Sequence, residues 1–321
     1  MMSKRLLITG INGQDGSYLT ELCNSIGWQC FGISDPGAPT RQEIATLGTP
    51  VYEGSITDSK FLTKTLSEIR PDLVCHLAAA SSVANSWAEP VKSLDTNILG
   101  TLRLLQALRE TSPDSHILLA GSAEMFASEA PLPWNEETLI APTSPYGIAK
   151  ASLFMLGQVL RQAGVHVSTA VMFNHESPRR GESFVTRKIA ISAAAISMGL
   201  QETLTLGNVE VRRDWGFAPE YVVALQKLMD LDTPTDVVLA TGTAISVRDF
   251  ALAALNAASI SNPEERITTD PNLIRGVDSL EQRGDASKAK AVLDWRAETA
   301  GSEVAIKLTE FEIDRLKKTK K

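Results

Sequence analysis

Seven short apolar runs, separated by longer segments of helical character, constrain this chain more than any other feature of its sequence. They are RLLITG (5–10), QCFGIS (29–34), PVYEG (50–54), DLVCHLAA (72–79), HILLAGS (116–122), VHVSTAVMF (165–173) and DVVLATG (236–242). Runs without regular polar alternation need burial on both faces, and the intervening segments are long enough to serve as crossover helices. The pattern predicts an α/β fold built on a Rossmann-type, doubly wound parallel sheet. After residue 174 the alternation weakens: RKIAISAAAISMGL reads as a helix, TLTLGN as a strand and SVRDFALAALNAASI as another helix. A smaller, interleaved α/β domain is the expected product. The Pro-rich stretch EAPLPWNEETLIAPTSP (129–145) reads as a long loop over one sheet edge, and long loops in compact domains are often functional.

Composition removes several classes of function. With 321 residues, 43% of them hydrophobic, the chain buries a large core and divides into a larger and a smaller unit. A formal net charge of −7 leaves no broad basic surface for nucleic acid, although Arg212 and Arg213 together suit a small anionic ligand. Three cysteines, Cys23, Cys30 and Cys75, are an odd count without metal-ligand spacing. They fit a reducing, cytoplasmic setting, with no metal site and no disulfide framework. No segment approaches the roughly 18 apolar residues of a membrane span, and the N-terminal RLLI is too short for a signal-peptide core.

The loop ITGINGQDGSYL (8–19) carries Gly10, Gly13 and Gly16 directly after the first apolar run and before a helical stretch. In that setting Gly10 makes a tight turn, Gly13 admits a pyrophosphate close to the backbone, and Gly16 lets helix pack on strand. The alternative is a plain surface turn. At the end of the second run, Asp35 is either an acceptor for a ribose 2′-hydroxyl or a turn residue before Pro36. These signals divide the chain into a dinucleotide-binding domain, 1–174 with 210–243, and a substrate domain, 175–209 with 244–321.

The segment SPYGIAK sets Tyr146 and Lys150 four apart, on one face of a helix. A lysine charge beside a phenol is expected to lower its pKa toward neutrality, which makes Tyr146 a base for a sugar hydroxyl. Upstream, LLAGSAEMF ends a buried strand with Ser122 and Glu124 at the carboxyl edge of the sheet, where ligands bind in such folds. Ser122 is then a hydrogen-bond partner for the same hydroxyl. Glu124 is a second acid/base or, on the plainer reading, a solvated loop carboxylate.

The glycine loop, HLAAASSVANSWAEP, LDTNILGTLRLLQALR, SPYGIAK, FNHESPRRGESFVTRKI and LGNVEVRRDWGFAPEYVVAL together resemble the extended short-chain dehydrogenases, and within them the GDP-mannose 4,6-dehydratase family. The resemblance runs from about residue 4 to GDASKAKAVLDW at 284–295. It implies a catalytic set of Ser122, Glu124, Tyr146 and Lys150, with Ser122 standing where the family has threonine. It implies a nicotinamide cofactor, NAD or NADP, held by Gly10, Asn12, Gly13, Gln14, Asp15, Gly16, Asp35, Ser55, Ile56, Leu77, Ala78, Ala79, Tyr146 and Lys150. For a GDP-sugar substrate it implies Ser81, Asn174, Glu176, Arg180, Lys188, Asn208, Arg213, Arg275 and Asp278. The family chemistry oxidises the sugar at C4, removes the C5 proton through Glu124, expels the C6 hydroxyl and re-reduces C6. A homo-oligomer, dimer or tetramer, is also implied.

This chain departs from the family in places. The arginine-rich turn that holds an NADP 2′-phosphate is replaced by SDPGAPTRQEIATLG, with Asp35 in place of positive charge and only Arg41 further along. The family implies NADP, whereas Asp35 argues for NAD. Ser55 replaces an aspartate that contacts adenine, and Phe126 and Ala127 replace Tyr and Gly near the sugar. Two other functions use the same frame: 4-epimerisation or 4-keto reduction of a nucleotide sugar, and catalytically silent nucleotide binding. Glu124 discriminates, because elimination needs a base at C5 and epimerisation does not.

Overall fold

A computed structural model describes residues 3–273 and 279–319. In chain order the strands are β1 (Arg5–Thr9), β2 (Gln29–Ser34), β3 (Val51–Glu53), β4 (Leu73–His76), β5 (His116–Ser122), β6 (Val167–Met172), β7 (Asn174–Glu176), β8 (Leu204–Leu206), β9 (Arg212–Phe217), β10 (Asp236–Leu239), β11 (Ala244–Ser246), β12 (Ile267–Thr269) and β13 (Glu281–Gln282). All seven apolar runs enter one sheet, in the order β10-β6-β5-β4-β1-β2-β3. Every pairing in it is parallel. Side chains alternate across a strand, so Leu6 and Ile8 join one core cluster while Leu7 joins the other. Helices Gln14–Ser25 and Ala218–Met229 cover the first face, and Ser59–Ile69 and Gly100–Thr111 the second. Each fully buried Leu or Ile contributes about 1.5–3 kcal/mol, which is why the runs carry almost no polar residues. The strand order reverses between β1 and β4, and a crevice opens there at the carboxyl ends of the strands.

The smaller unit has its own core. Helices Val185–Ser197, Val247–Ala257 and Ser302–Thr319 pack through Ile189, Ala193, Phe250, Ala254 and Leu308. Ser246 starts the second of these with a reciprocal cap: its hydroxyl accepts from the Asp249 N–H, and the Asp249 carboxylate accepts from the Ser246 N–H. β9 pairs with β7, β11 and β13 rather than with the large sheet. Residues 212–217, assigned by sequence to the larger unit, therefore hydrogen-bond within the smaller sheet, and Trp215 packs edge-on against Phe250 at 4.9 Å.

Two features brace the junction between the units. Asp214, buried on β9, accepts hydrogen bonds from the Thr241 N–H (2.9 Å), the Thr241 hydroxyl (2.7 Å), the Gly242 N–H (2.9 Å) and the Gly284 N–H (3.2 Å). Burial raises its pKa even against these donors. One carboxylate thus ties β9 to the end of β10 and to the residues after β13. The stretch 126–144 is the long loop expected, and it crosses the sheet edge at β10: the Glu136 carboxylate accepts the Val238 N–H at 2.6 Å. Its anchor is Trp134, fully buried beside Phe126 and Phe173, whose backbone N–H and C=O bond Arg283 and Asp285.

Candidate active site

A cleft of about 1110 Å³ opens at the switch point and runs into the smaller unit. Its floor is the glycine loop. Gly10 adopts φ +71°, and a Cβ there would lie 2.9 Å from the Ala78 nitrogen, so the turn at the end of β1 closes against the loop after β4 only with glycine. A Cβ on Gly16 would stand 2.5 Å from the Gly10 carbonyl, so the helix from Gln14 starts directly on that turn. Gly13 is its N-cap and offers no side-chain cap, which leaves the first-turn N–H groups without partners inside the helix. Such a terminus is an anion site. Behind it, the Thr101 hydroxyl donates to the Asn97 carbonyl, so the His76 proton sits on Nε2 and its Nδ1 accepts from the Thr9 hydroxyl at 2.7 Å. The ring donates through Nε2 to Thr101 at 2.8 Å. Burial, reinforced by the Lys150 charge, pushes the His76 pKa down to about 3, and the neutral ring acts as a strut behind the 77–81 wall.

The glycine loop and the FNHESPRRG segment are interlocked. Gln14 donates to the His175 carbonyl (3.0 Å) and accepts from the Ser177 hydroxyl (2.8 Å). His175 faces the Phe173 carbonyl through Nδ1 (2.7 Å) and the Asp15 carboxylate through Nε2 (3.0 Å), an arrangement that needs a proton on both nitrogens. Burial opposes that charge, but Asp15 outweighs it and the His175 pKa rises. Arg179 lies over the Tyr18 ring at 3.8 Å and pairs with Glu21 at 2.6 Å. It is the latch of the arginine pair, whereas Arg180 faces the cleft, 3.4 Å from Glu176 and stacked on Phe184. Arg41 is already engaged, donating to the carbonyls of Asn12 (2.6 Å) and Arg179 (3.0 Å). Asp35, by contrast, lines the cleft at the end of β2.

The four expected catalytic residues meet on one wall. Ser144 caps the helix Pro145–Gln162 by accepting the Gly147 N–H at 3.0 Å, which puts Tyr146 in the first turn and Lys150 one turn on. Ser122 and Glu124 come from the end of β5 and the turn after it. The Ser122 hydroxyl favours the ionised form of Tyr146, yet the phenol's pKa is pushed up to about 12, because burial outweighs Ser122 and the Glu124 charge adds to the rise. The expected lowering by lysine is therefore not found. The Lys150 ammonium bonds the Ala120 carbonyl at 2.6 Å, stands 5.7 Å from the Tyr146 ring centre, and is itself drawn down to about 8 by burial.

Most other expected site residues also line the cleft: Asn12, Ser55, Ile56, Leu77, Ala78 and Ala79 on the cofactor side, and Ser81, Asn174, Glu176, Asn208 and Arg213 on the substrate side. Ser55 bonds Thr57 (2.8 Å), and Arg213 donates to the Arg212 and Ser279 carbonyls. Lys188 does not line it; its ammonium donates to the Thr205 carbonyl at 2.7 Å and braces β8. Arg275 and Asp278 lie outside the described residues. Sequence reasoning missed His175 and Arg179, although both lie in the quoted FNHESPRRG motif, and it missed Gln282, whose amide donates to Glu124 at 3.3 Å. Nothing local signals that contact, since the two residues are far apart in sequence. Among the described residues, no group of three or more His, Cys, Asp or Glu is arranged to hold a metal.

The chain is similar to known proteins over most of its length. The family profile described as GDP-mannose 4,6 dehydratase matches residues 7–308. GDP-mannose 4,6-dehydratase sdnI of Sordaria araneosa is 40% identical over 91% of this chain, which spans 58% of that longer protein. The GDP-mannose 4,6-dehydratase of Sinorhizobium fredii is 35% identical over 99% of both chains. Among solved structures, the UDP-glucose 4-epimerase of Thermotoga maritima with UDP-glucose superposes with a TM-score of 0.85, at 25% identity, covering 99% of this chain and 100% of the other. The matched span takes in the interlocked glycine and arginine segments as well as the Ser122–Tyr146 wall, and the chain belongs to the GDP-mannose 4,6-dehydratase family.

Proposed function

We propose that this protein is a GDP-sugar 4,6-dehydratase that converts GDP-D-mannose to GDP-4-keto-6-deoxy-D-mannose. The observation that carries the reading is Glu124: a carboxylate on the same wall as Ser122 and Tyr146, which a dehydratase requires and an epimerase does not. The glycine cradle and the uncapped helix terminus fit the pyrophosphate of a dinucleotide. A nicotinamide dinucleotide held there would supply reversible hydride chemistry for an oxidation at C4 and a reduction at C6 with no net consumption. Tyr146, once ionised, takes the C4 hydroxyl proton, and the Ser122 hydroxyl favours that ionised form. Glu124 removes the C5 proton acidified by the new C4 ketone, then gives it to the departing C6 oxygen, which leaves as water with formation of the C5–C6 double bond; reduction at C6 is completed by a proton from solvent at C5. Arg180 and Arg213 face the part of the cleft where the diphosphate belongs, and a guanidinium donates two parallel hydrogen bonds to such oxygens.

Incubation with GDP-mannose and cofactor tests the reading by product mass. Loss of one water is expected; an unchanged mass points to an epimerase or an inert protein and overturns it.

The cofactor follows from local charge. Asp35 lines the cleft while Arg41 is committed to Asn12 and Arg179, so a 2′-phosphate meets a carboxylate and a ribose diol meets an acceptor. NAD is expected to bind at least as tightly as NADP, and Asp35→Ala to shift the preference toward NADP. Titration of cofactor-free protein with each dinucleotide measures this. A wild-type preference for NADP of about tenfold, or 1.4 kcal/mol, sinks the argument.

A division into a dinucleotide unit (1–174 with 218–243) and a GDP-sugar unit (175–217 with 244–321) belongs to the same proposal, with β9 moved to the unit whose core Trp215 joins. So does a homo-oligomer. Ile148, Met155 and Val159 form an exposed stripe on the helix Pro145–Gln162, with Leu99 and Leu102 exposed on the neighbouring segment, and a second copy of the chain is the natural cover. Cytoplasmic placement is supported by three free, buried cysteines. Among the described residues no helix is long and apolar enough to cross a membrane.

A further inference from the structure

We propose that Gln282 is a positioning residue for Glu124, fixing which carboxylate oxygen exchanges protons with the sugar. This rests on the assignment of Glu124 as the acid/base of elimination. The side-chain amide of Gln282 donates to Glu124 Oε1 at 3.3 Å, and Gln282 is 4% exposed. A buried amide on a two-residue strand is an unusual investment unless its backbone is held, and here it is held by β9 and by the long loop. Gln282 pairs in register with Arg213 on β9, and the Arg212 N–H bonds the Leu280 carbonyl at 2.8 Å. Asp214, also on β9, accepts the Gly284 N–H at 3.2 Å, and from the long loop the Trp134 N–H bonds the Arg283 carbonyl at 2.8 Å. Behind the pair lies a small chamber bordered by Ser128, Trp134, Thr143 and Ser144.

The chemistry makes orientation matter. One carboxylate must face the C5 hydrogen and then the C6 oxygen, and a free glutamate has three side-chain torsions to fix before it does either. An N–H donor on Oε1 favours that oxygen as a permanent acceptor and leaves Oε2 for the proton. The C5 proton passes to Oε2 as electrons move toward the C4 ketone. The same proton then passes to the C6 oxygen as the C6–O bond breaks, water leaves, and Glu124 returns to its carboxylate form.

The test uses Gln282→Met and Gln282→Leu in the full-length, cofactor-loaded protein, with Glu124→Gln as control. Both Gln282 variants are expected to melt near the wild-type temperature and to keep KM for GDP-mannose within about twofold. Turnover should fall about 10- to 100-fold, the range for a misplaced catalytic group. Because oxidation at C4 does not use Glu124, reduced nicotinamide should build up during turnover. A structural defect would slow both half-reactions together without such a build-up, and that result overturns the proposal, as does wild-type turnover. Unfolding of both variants where the wild type is folded assigns Gln282 to the core and overturns it too. If Glu124→Gln also turns over normally, the reading of Glu124 itself fails; if it stalls while the Gln282 variants do not, only the positioning role fails.

Discussion

Tyr146→Phe is expected to lower turnover by about 100- to 10,000-fold, the usual range for removing a general acid/base, while GDP-mannose binding changes little. Binding survives because the diphosphate side of the cleft, with Arg180 and Arg213, is untouched. The effect is large because the reading gives the C4 proton transfer to Tyr146 alone, although burial holds the resting phenol near 12 and the Lys150 ammonium bonds the Ala120 carbonyl. To act as a base it must first release its proton to solvent, a loss that the positive charge of a bound oxidised nicotinamide would favour, and phenylalanine offers no hydroxyl in its place. Steady-state kinetics together with GDP-mannose calorimetry checks this. Turnover within a few-fold of wild type removes Tyr146 from the mechanism.

Glu124→Gln is expected to divide the reaction in two. Oxidation at C4 uses Tyr146 and proceeds; removal of the C5 proton has no base, and overall product formation falls by about 100-fold or more. Near-ultraviolet absorbance of reduced nicotinamide should approach one equivalent per site and persist. The amide is nearly the shape of the carboxylate, and Gln282 can turn its own amide to meet it, so the cleft should keep its form. A variant that releases 4-keto-6-deoxy product at the wild-type rate would show that another group serves C5.

The sheet was legible because its physics is one-dimensional: a strand buried on both faces is mostly apolar without regular polar alternation, and the runs keep that pattern even where they carry a buried polar residue such as Ser168 or Thr169. Tyr146 and Lys150 were legible for a similar reason, since a spacing of four fixes a shared helix face. What failed depended on three dimensions. The expected shift of Tyr146 assumed a lysine aimed at the phenol, but β5 offers that lysine a backbone carbonyl first. Lys188 carries the right charge in the right motif, yet its helix turns it to β8. Arg212–Phe217 follows the chain into the smaller sheet because Trp215 finds Phe250 there. The Asp15–His175 and Glu124–Gln282 contacts join segments whose proximity only the folded chain creates.

The loop over β10 has a consequence for the life of the chain outside the native state. A parallel sheet ends in two strands with unpaired backbone groups, and such rims recruit strands from other molecules. One rim here is β3, only three residues long, too short to template much. At the other, Glu136 brings a carboxylate to the Val238 N–H, a charged stopper that an incoming strand would have to displace and desolvate. The segment that seals this rim also seats Trp134 against the residues that hold Gln282. Shortening it to simplify the enzyme would therefore trade away solubility and catalysis in one step, and selection for either preserves the other.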